Sequence, residues 1–165
     1  MLLSHALWGA LGGFLVVALL GWAFFQYGTG TITAGLERLQ ARSDFAGILQ
    51  TTLFMPFLLV LGVTAIAGAI ATVIPAPYEH LPFGSGISLG GGPALFYACN
   101  AIVSLRYGQP QRTVLPWAGP AAVIAILLIP VSAEVPGAVV LALAVIVLLL
   151  VTAYVGIQRR HAPTG

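Results

Sequence analysis

Charged residues are rare along this chain, and they divide it into long uncharged runs. The ten charged positions leave five uncharged runs of 36, 34, 26, 21 and 24 residues. A helix that crosses the hydrocarbon core of a bilayer needs about 20 mainly apolar residues. Each run can therefore hold one membrane-spanning helix, and we predict spans at about residues 7–25, 48–74, 87–105, 114–131 and 137–157.

The arginines test this count, because loops on the cytoplasmic side of a membrane are enriched in basic residues. With five spans, all six arginines fall on one side: after span one, after span three and at the C-terminal end. The other side holds the N-terminus and the connections around Glu79 and Glu134, which contain no Lys or Arg. We therefore predict an N-terminus outside the cytoplasm and a C-terminus inside it.

Composition favours a membrane protein over a soluble one. Hydrophobic residues make up 59% of the chain and charged residues 6%, against about 25% charged residues in a soluble domain. The predicted fold class is an all-α integral membrane protein, a single bundle of about five transmembrane helices over residues 1–165. The charged and apolar residues after span one favour an amphipathic helix at 34–46 on the membrane surface. A plain extension of span two is the alternative there.

Span three contains the stretch LGGGPALFYACNAI, whose glycines and proline are poor helix formers in water. In lipid, small residues let helix backbones approach closely, so we predict that this is the central packing helix. Its candidate packing positions are Gly91, Gly92, Pro93, Ala94, Ala98 and Ala101. We expect Pro93 near the start of the helix, where proline costs little. The alternative is a glycine-rich entry loop followed by a shorter helix.

Candidate chemistry is sparse inside the predicted spans, which contain no Asp, Glu, Lys, Arg or His. Ionisable residues at membrane depth are the usual mark of a proton or ion pathway, so their absence argues against a proton-coupled pump. The remaining polar positions include Gln50, Thr51 and Asn100. We expect Asn100 to hydrogen-bond a neighbouring helix, with a substrate or ion contact as the alternative.

The loops and motifs add little to this chemistry. His5, Glu79, His80 and Glu134 fall on the predicted outer side without the spacing of a metal site. Cys99 is the single cysteine, and the chain has no phosphate loop, dinucleotide fingerprint or nucleophile elbow. We therefore predict no catalytic, cofactor-binding or metal site, no nucleic-acid partner and no enzymatic activity.

Three stretches follow one another in a distinctive order: LVVALLGWAFFQYG, LERLQARSDFAGILQTTLFMPFLLVLGV and LGGGPALFYACNAIVSLRY. In this order the chain resembles the C-terminal half of the bacterial low temperature requirement A (LtrA) family, without a counterpart of that family's N-terminal half. The resemblance implies a multi-pass inner-membrane protein linked to growth in the cold. Where the family carries ionisable residues, this chain has neutral ones: Gln26, Phe54 with Met55 before Pro56, and Asn100.

Two functional interpretations fit the sequence best. The first is a non-enzymatic membrane component of cold or envelope stress adaptation that acts through helix packing. Its partners would be the lipid bilayer and a second membrane subunit or a second copy. The alternative is half of a split transporter or channel, completed by a second chain or by oligomerisation. A membrane-embedded enzyme ranks third, because it needs an acid, base, nucleophile or metal that the spans lack.

Overall fold

The chain folds into long helices joined by short connections. The structure is a computed structural model that describes the backbone of residues 2–161 and the side chains of residues 7–23, 35–154 and 156–157. The helices are α1 (Leu2–Ala41), α2 (Phe45–Leu49), a π-helical turn (Gln50–Phe54), α3 (Met55–Val73), α4 (Phe83–Arg106), α5 (Gln111–Glu134) and α6 (Gly137–His161). Within this described part the chain forms no β-strand, only an isolated bridge between His80 and Pro136.

Four helical segments are long and apolar enough to cross a membrane. They are the continuous helix Phe45–Val73, the whole of α4 and α5, and Gly137–Tyr154 within α6. Within α1, the segment Leu7–Ala23 is a shorter apolar helix. The predicted all-helical class is therefore confirmed.

Among these segments, α4 lies at the centre of the bundle. It packs against α3 on one side and α5 on the other, while α1 and α6 contact each other and close the bundle. In its most apolar stretch α4 is 56% buried, against 28–33% for the other three candidate spans. The glycine-rich helix is thus the one most enclosed by protein.

Aromatic rings of α4 and α5 fill the core. Tyr97 is completely buried, and its ring meets those of Phe96 and Trp117 edge to face at centroid distances of 5.7 and 6.5 Å. Aliphatic side chains from every long helix surround them, among them Val16, Leu20, Ile66, Leu89, Val114, Val140 and Leu148. Because lipid tails are as apolar as these side chains, close packing rather than hydrophobic burial stabilises such a core.

The first helix is longer than the predicted span. α1 has 40 residues, and at 1.5 Å per residue it is about 60 Å long, twice the roughly 30 Å hydrocarbon core. It ends where Ser43 takes a positive φ of 53° and the Asp44 N–H donates to the Leu39 carbonyl at 3.1 Å. Asp44 then caps α2 by accepting the Gly47 N–H at 2.8 Å.

The residues predicted as a surface helix, 34–46, therefore do not form a separate element. They are divided between the last turns of α1 and the start of α2. The sequence between the two predicted elements contains glycines and threonines but no proline. Weak helix formers cost at most about 1 kcal/mol each, so without a proline they do not force the helix to end.

The fourth helix begins before its glycines. The Pro82 carbonyl accepts the Ser85 and Gly86 N–H groups at 2.8 and 3.0 Å, and α4 starts at Phe83. Pro93 consequently lies inside the helix rather than in its first turn, and the entry-loop alternative does not describe this segment. The same tolerance recurs in α5, which contains Pro116, Pro120 and Pro130. Membrane helices accept internal prolines because neighbouring groups compensate the missing hydrogen bond.

Hydrogen bonds tie the connections together at both ends of the bundle. At one end, the carbonyl oxygens of Glu79 and Pro77 accept the N–H groups of Gly137 and Ala138 at 2.9 and 2.8 Å. The connection between α3 and α4 thereby caps the start of α6. At the opposite end, Arg38 of α1 donates from Nη1 to the Tyr107 carbonyl at 3.1 Å. Long-range contacts of this kind fix where the helix ends lie relative to one another.

Candidate functional site

Two glycines on α4 bring its backbone against both neighbouring helices. A Cβ placed at Gly92 would lie 2.5 Å from Ile66 Cγ1 and 2.7 Å from the Gly62 carbonyl oxygen of α3. A Cβ at Gly90 would lie 2.7 Å from the Ala125 carbonyl oxygen of α5. Two residues correspond to about 200° around a helix, so these glycines face opposite sides. Only glycine fits at either contact.

The other predicted packing positions of α4 differ in burial. Pro93 and Ala94 are buried, whereas Ala98 and Ala101 are half-buried. A Cβ at Gly91 would meet only Ile87 of its own helix, at 4.0 Å. Of the two predicted packing glycines, Gly92 therefore lies at a close helix contact and Gly91 does not.

A second glycine face lies on α1, and the sequence pattern was not used to predict it. A Cβ at Gly13 would lie 2.6 Å from Ile70 Cγ2 of α3, and one at Gly9 would lie 3.3 Å from the Cα of Ile74, the residue that follows α3. Gly12, between them, faces Leu141 of α6 at 3.0 Å. The four-residue spacing of Gly9 and Gly13 is the small-xxx-small signature of close helix pairs, and it is readable in the sequence.

Polar side chains in the helices turn back onto their own backbone. The hydroxyls of Thr51 and Thr152 donate to the carbonyls of Gly47 and Leu148, each at 2.7 Å. The buried Asn100 donates from Nδ2 to the carbonyl of Phe96, four residues back, at 2.8 Å. This differs from the expected bond to a neighbouring helix. Each of these three donors is thus engaged within its own helix.

The remaining predicted polar positions surround the π-helical turn. Met55 donates its N–H to the Gln50 carbonyl, five residues back, and Pro56 follows immediately. Proline has no N–H to offer, and the wider turn accommodates that loss. Thr51 is buried here, whereas Gln50 and Pro56 are exposed. Gln26 lies outside the residues whose side chains the structure describes.

Ionisable groups do not gather into a reactive centre in the described part of the chain. Glu79, His80 and Glu134 are exposed, and among described residues no three His, Cys, Asp or Glu side chains could hold one metal ion. His5 lies outside the described side chains. The single cysteine, Cys99, is buried as a free thiol.

One face of α3 is left without a neighbouring helix. Thr64, Gly68 and Thr72 recur every four residues there, all three are exposed, and a Cβ at Gly68 would meet no atom within 4 Å. We call these three residues the α3 strip. Beside it, an apolar groove of about 340 Å³ separates α1 from α3, with Gly21 and Leu59 among the residues on its walls.

The described architecture defines a class of protein. Four helices of sufficient length and apolarity, packed through glycine contacts, are those of a multi-pass helical membrane protein. No protein-family model, curated protein or solved structure matches the chain. The relationship to the LtrA family therefore stays a prediction.

Proposed function

We propose that this protein is a non-enzymatic, multi-pass protein of the bacterial inner membrane that acts by packing against another membrane helix. That helix belongs to a second membrane subunit or to a second copy of the chain. In this proposal the chain crosses the membrane five times, with its N-terminus outside and its C-terminus in the cytoplasm. By its resemblance to the LtrA family, it serves adaptation to cold or envelope stress.

The observation that carries the proposal is the α3 strip. Residues with small side chains at four-residue spacing let a second helix approach closely in lipid, where van der Waals packing drives association. The hydroxyls of Thr64 and Thr72 already donate to the carbonyls of Val60 and Ala69, at 2.8 and 2.7 Å. A partner helix therefore meets a smooth surface without having to satisfy these hydroxyls.

The polar groups support the non-enzymatic part of the proposal. Transport or catalysis in a membrane needs groups that bind a polar substrate or change protonation. In the described helices, the hydroxyls of Thr51 and Thr152 and one amide N–H of Asn100 donate to the backbone of their own helix. If the chain is half of a split transporter, its partner has to supply the polar lining.

Substitution of Gly68 tests the packing role. Gly68→Leu places a bulky side chain on the α3 strip, and Gly119→Leu in α5 is the matched control, because a Cβ at Gly119 also meets open space. Membranes are extracted directly into polymer nanodiscs, and the mass of the particle is measured. We expect wild-type and Gly119→Leu protein to be recovered with a second membrane polypeptide or copy, and Gly68→Leu protein to be recovered alone.

Growth at low temperature tests the biological role separately. We expect deletion of the gene to slow growth in the cold, wild-type and Gly119→Leu protein to restore it, and Gly68→Leu protein to fail. A wild-type chain that is always recovered alone would refute the packing role. Normal growth of the deletion strain in the cold would refute the role in cold adaptation and leave the packing result to stand by itself.

A further inference from the structure

Three arginines from two distant parts of the chain converge on one pocket. The pocket has a volume of about 160 Å³ and is lined by Arg38, Leu39, Arg42, Arg106, Tyr107 and Gly108. We call it the arginine pocket. Arg38 belongs to the last turns of α1 and Arg42 follows that helix, whereas Arg106 is the last residue of α4. Folding, rather than chain proximity, assembles this group of charges.

Contacts with the backbone hold the residues that line the arginine pocket in place. Arg38 donates from Nη1 to the Tyr107 carbonyl at 3.1 Å, which orients its guanidinium and leaves its other donors available. Gly108 has a φ of +85°, and a Cβ there would lie 2.8 Å from Arg38 Nη1. The ring of Tyr107 is buried against Gly35 of α1. Burial raises the pKa of the Tyr107 hydroxyl, so this ring stays neutral and does not act as a counter-ion.

No carboxylate of the described chain compensates these charges within the pocket. Its lining contains three guanidinium groups and no acidic side chain. Asp44, the acidic residue that follows Arg42 most closely, accepts the Gly47 N–H at the start of α2. Glu37 precedes Arg38 directly, and adjacent residues of a helix do not face each other. Three guanidinium groups that line one pocket without a carboxylate favour the binding of an anion.

We infer that the arginine pocket binds a phosphate group. Guanidinium groups present forked donors that match phosphate oxygens, and three of them surround a volume suited to one phosphate and its waters. The pocket opens where the apolar α4 ends, which is the depth of lipid headgroups at the predicted cytoplasmic side. An anionic phospholipid and a free phosphate compound offer the same chemistry, and the experiment separates them.

Binding is measured with full-length protein in nanodiscs of phosphatidylcholine. One set of discs contains phosphatidic acid at increasing fractions, and the other remains neutral while inorganic phosphate is titrated. We expect saturable binding of about one phosphate group per protein in one of the two arms. Saturation with lipid identifies a headgroup site, and saturation with inorganic phosphate identifies a site for a soluble compound.

Four variants locate the site. Arg42→Gln and Arg106→Gln each remove one guanidinium from the pocket, and Arg112→Gln removes an arginine at the same end of the bundle that does not line it. We expect affinity to fall about tenfold for each pocket variant, from loss of charge-assisted hydrogen bonds, and to stay within about twofold for Arg112→Gln. Arg106→Lys keeps the charge without the fork, so it should lose part of the affinity.

Thermal unfolding and helical circular dichroism of each variant show whether it folds. If a pocket variant does not fold, the wild-type titrations and the other variant still decide the inference. Absence of saturable binding in both arms would overturn it. Equal losses for Arg106→Gln and Arg112→Gln would overturn it as well, because they would indicate unspecific attraction to the basic end of the protein.

Discussion

Gly91 and Gly92 are neighbours in the chain but have opposite surroundings. Gly92 lies where the backbone of α4 touches α3, whereas a Cβ at Gly91 reaches only its own helix. In a soluble helix both glycines would simply be unfavourable. In this bundle Gly92 makes the contact with α3, whereas Gly91 lies at no contact between helices.

Alanine substitution separates these two glycines. We expect Gly92→Ala to destabilise the bundle by about 1–3 kcal/mol, because the added methyl group overlaps Ile66 and the Gly62 carbonyl. Gly91→Ala should be neutral or stabilise by up to about 1 kcal/mol, through its better helix propensity. Thermal unfolding in a mild detergent, followed by tryptophan fluorescence, compares the two. Equal effects would contradict the assignment of Gly92 to the interface.

At the scale of elements, α1 is one helix that makes contacts at both ends of the bundle, whereas the sequence pattern predicts two separate helices there. Its first half packs through Gly9, Gly12 and Gly13 against α3 and α6. Its last turns contribute Arg38 to the contact with Tyr107 at the opposite end of the bundle. One continuous helix therefore connects both ends of the molecule, where a span and a separate surface helix are predicted from the local pattern.

Spin labels test whether α1 is continuous. In a Cys99→Ala background, labels at Ala18→Cys and Gln40→Cys should be separated by roughly 33 Å along the helix axis, in a narrow distribution. A pair at Val139→Cys and Ala153→Cys within α6 is the control and should give roughly 21 Å. Electron–electron double resonance measures both distances. A broad or much shorter distribution for the α1 pair alone would show that the helix is interrupted.

At the scale of the whole molecule, charge is distributed unevenly between the two ends. Arg38, Arg42 and Arg106 share a pocket at one end, and Glu79 packs its backbone against the start of α6 at the other. We propose that in a bacterial membrane this asymmetry sets the orientation, with the end that carries the basic residues in the cytoplasm.

Reporter fusions measure the orientation. Alkaline phosphatase is active only outside the cytoplasm, so we expect activity when it is fused after His80 and none when it is fused after Arg112 or after Arg160. The physical reason is retention of the arginine-bearing segments on the cytoplasmic side. A cytoplasmic reporter at the same three sites is the control and should give the reverse pattern. Phosphatase activity after Arg160 would exclude the five-span topology.

Much of the fold could be predicted from the sequence, and much less of the candidate site. The predicted start of the fourth span, residue 114, follows from the uncharged run that begins after Arg112. It lies close to Gln111, where α5 begins. The start of α4 was harder to predict, because Gly90 and Pro93 are weak helix formers in water. Their cost does not apply between packed membrane helices. The end of α1 depends on a positive φ at Ser43, a non-glycine residue that gives no such signal.

The sequence by itself determined the class of protein, because class follows from composition and from the length of uncharged runs, which are local properties. It also marked the small residues that could pack. Only the tertiary structure decided that Gly92 meets α3 while Gly91 does not, and that Arg38 and Arg106 share a pocket. Those outcomes depend on how far each helix is rotated about its axis and displaced along it. Packing against neighbours sets both quantities, and no single segment of the sequence contains them.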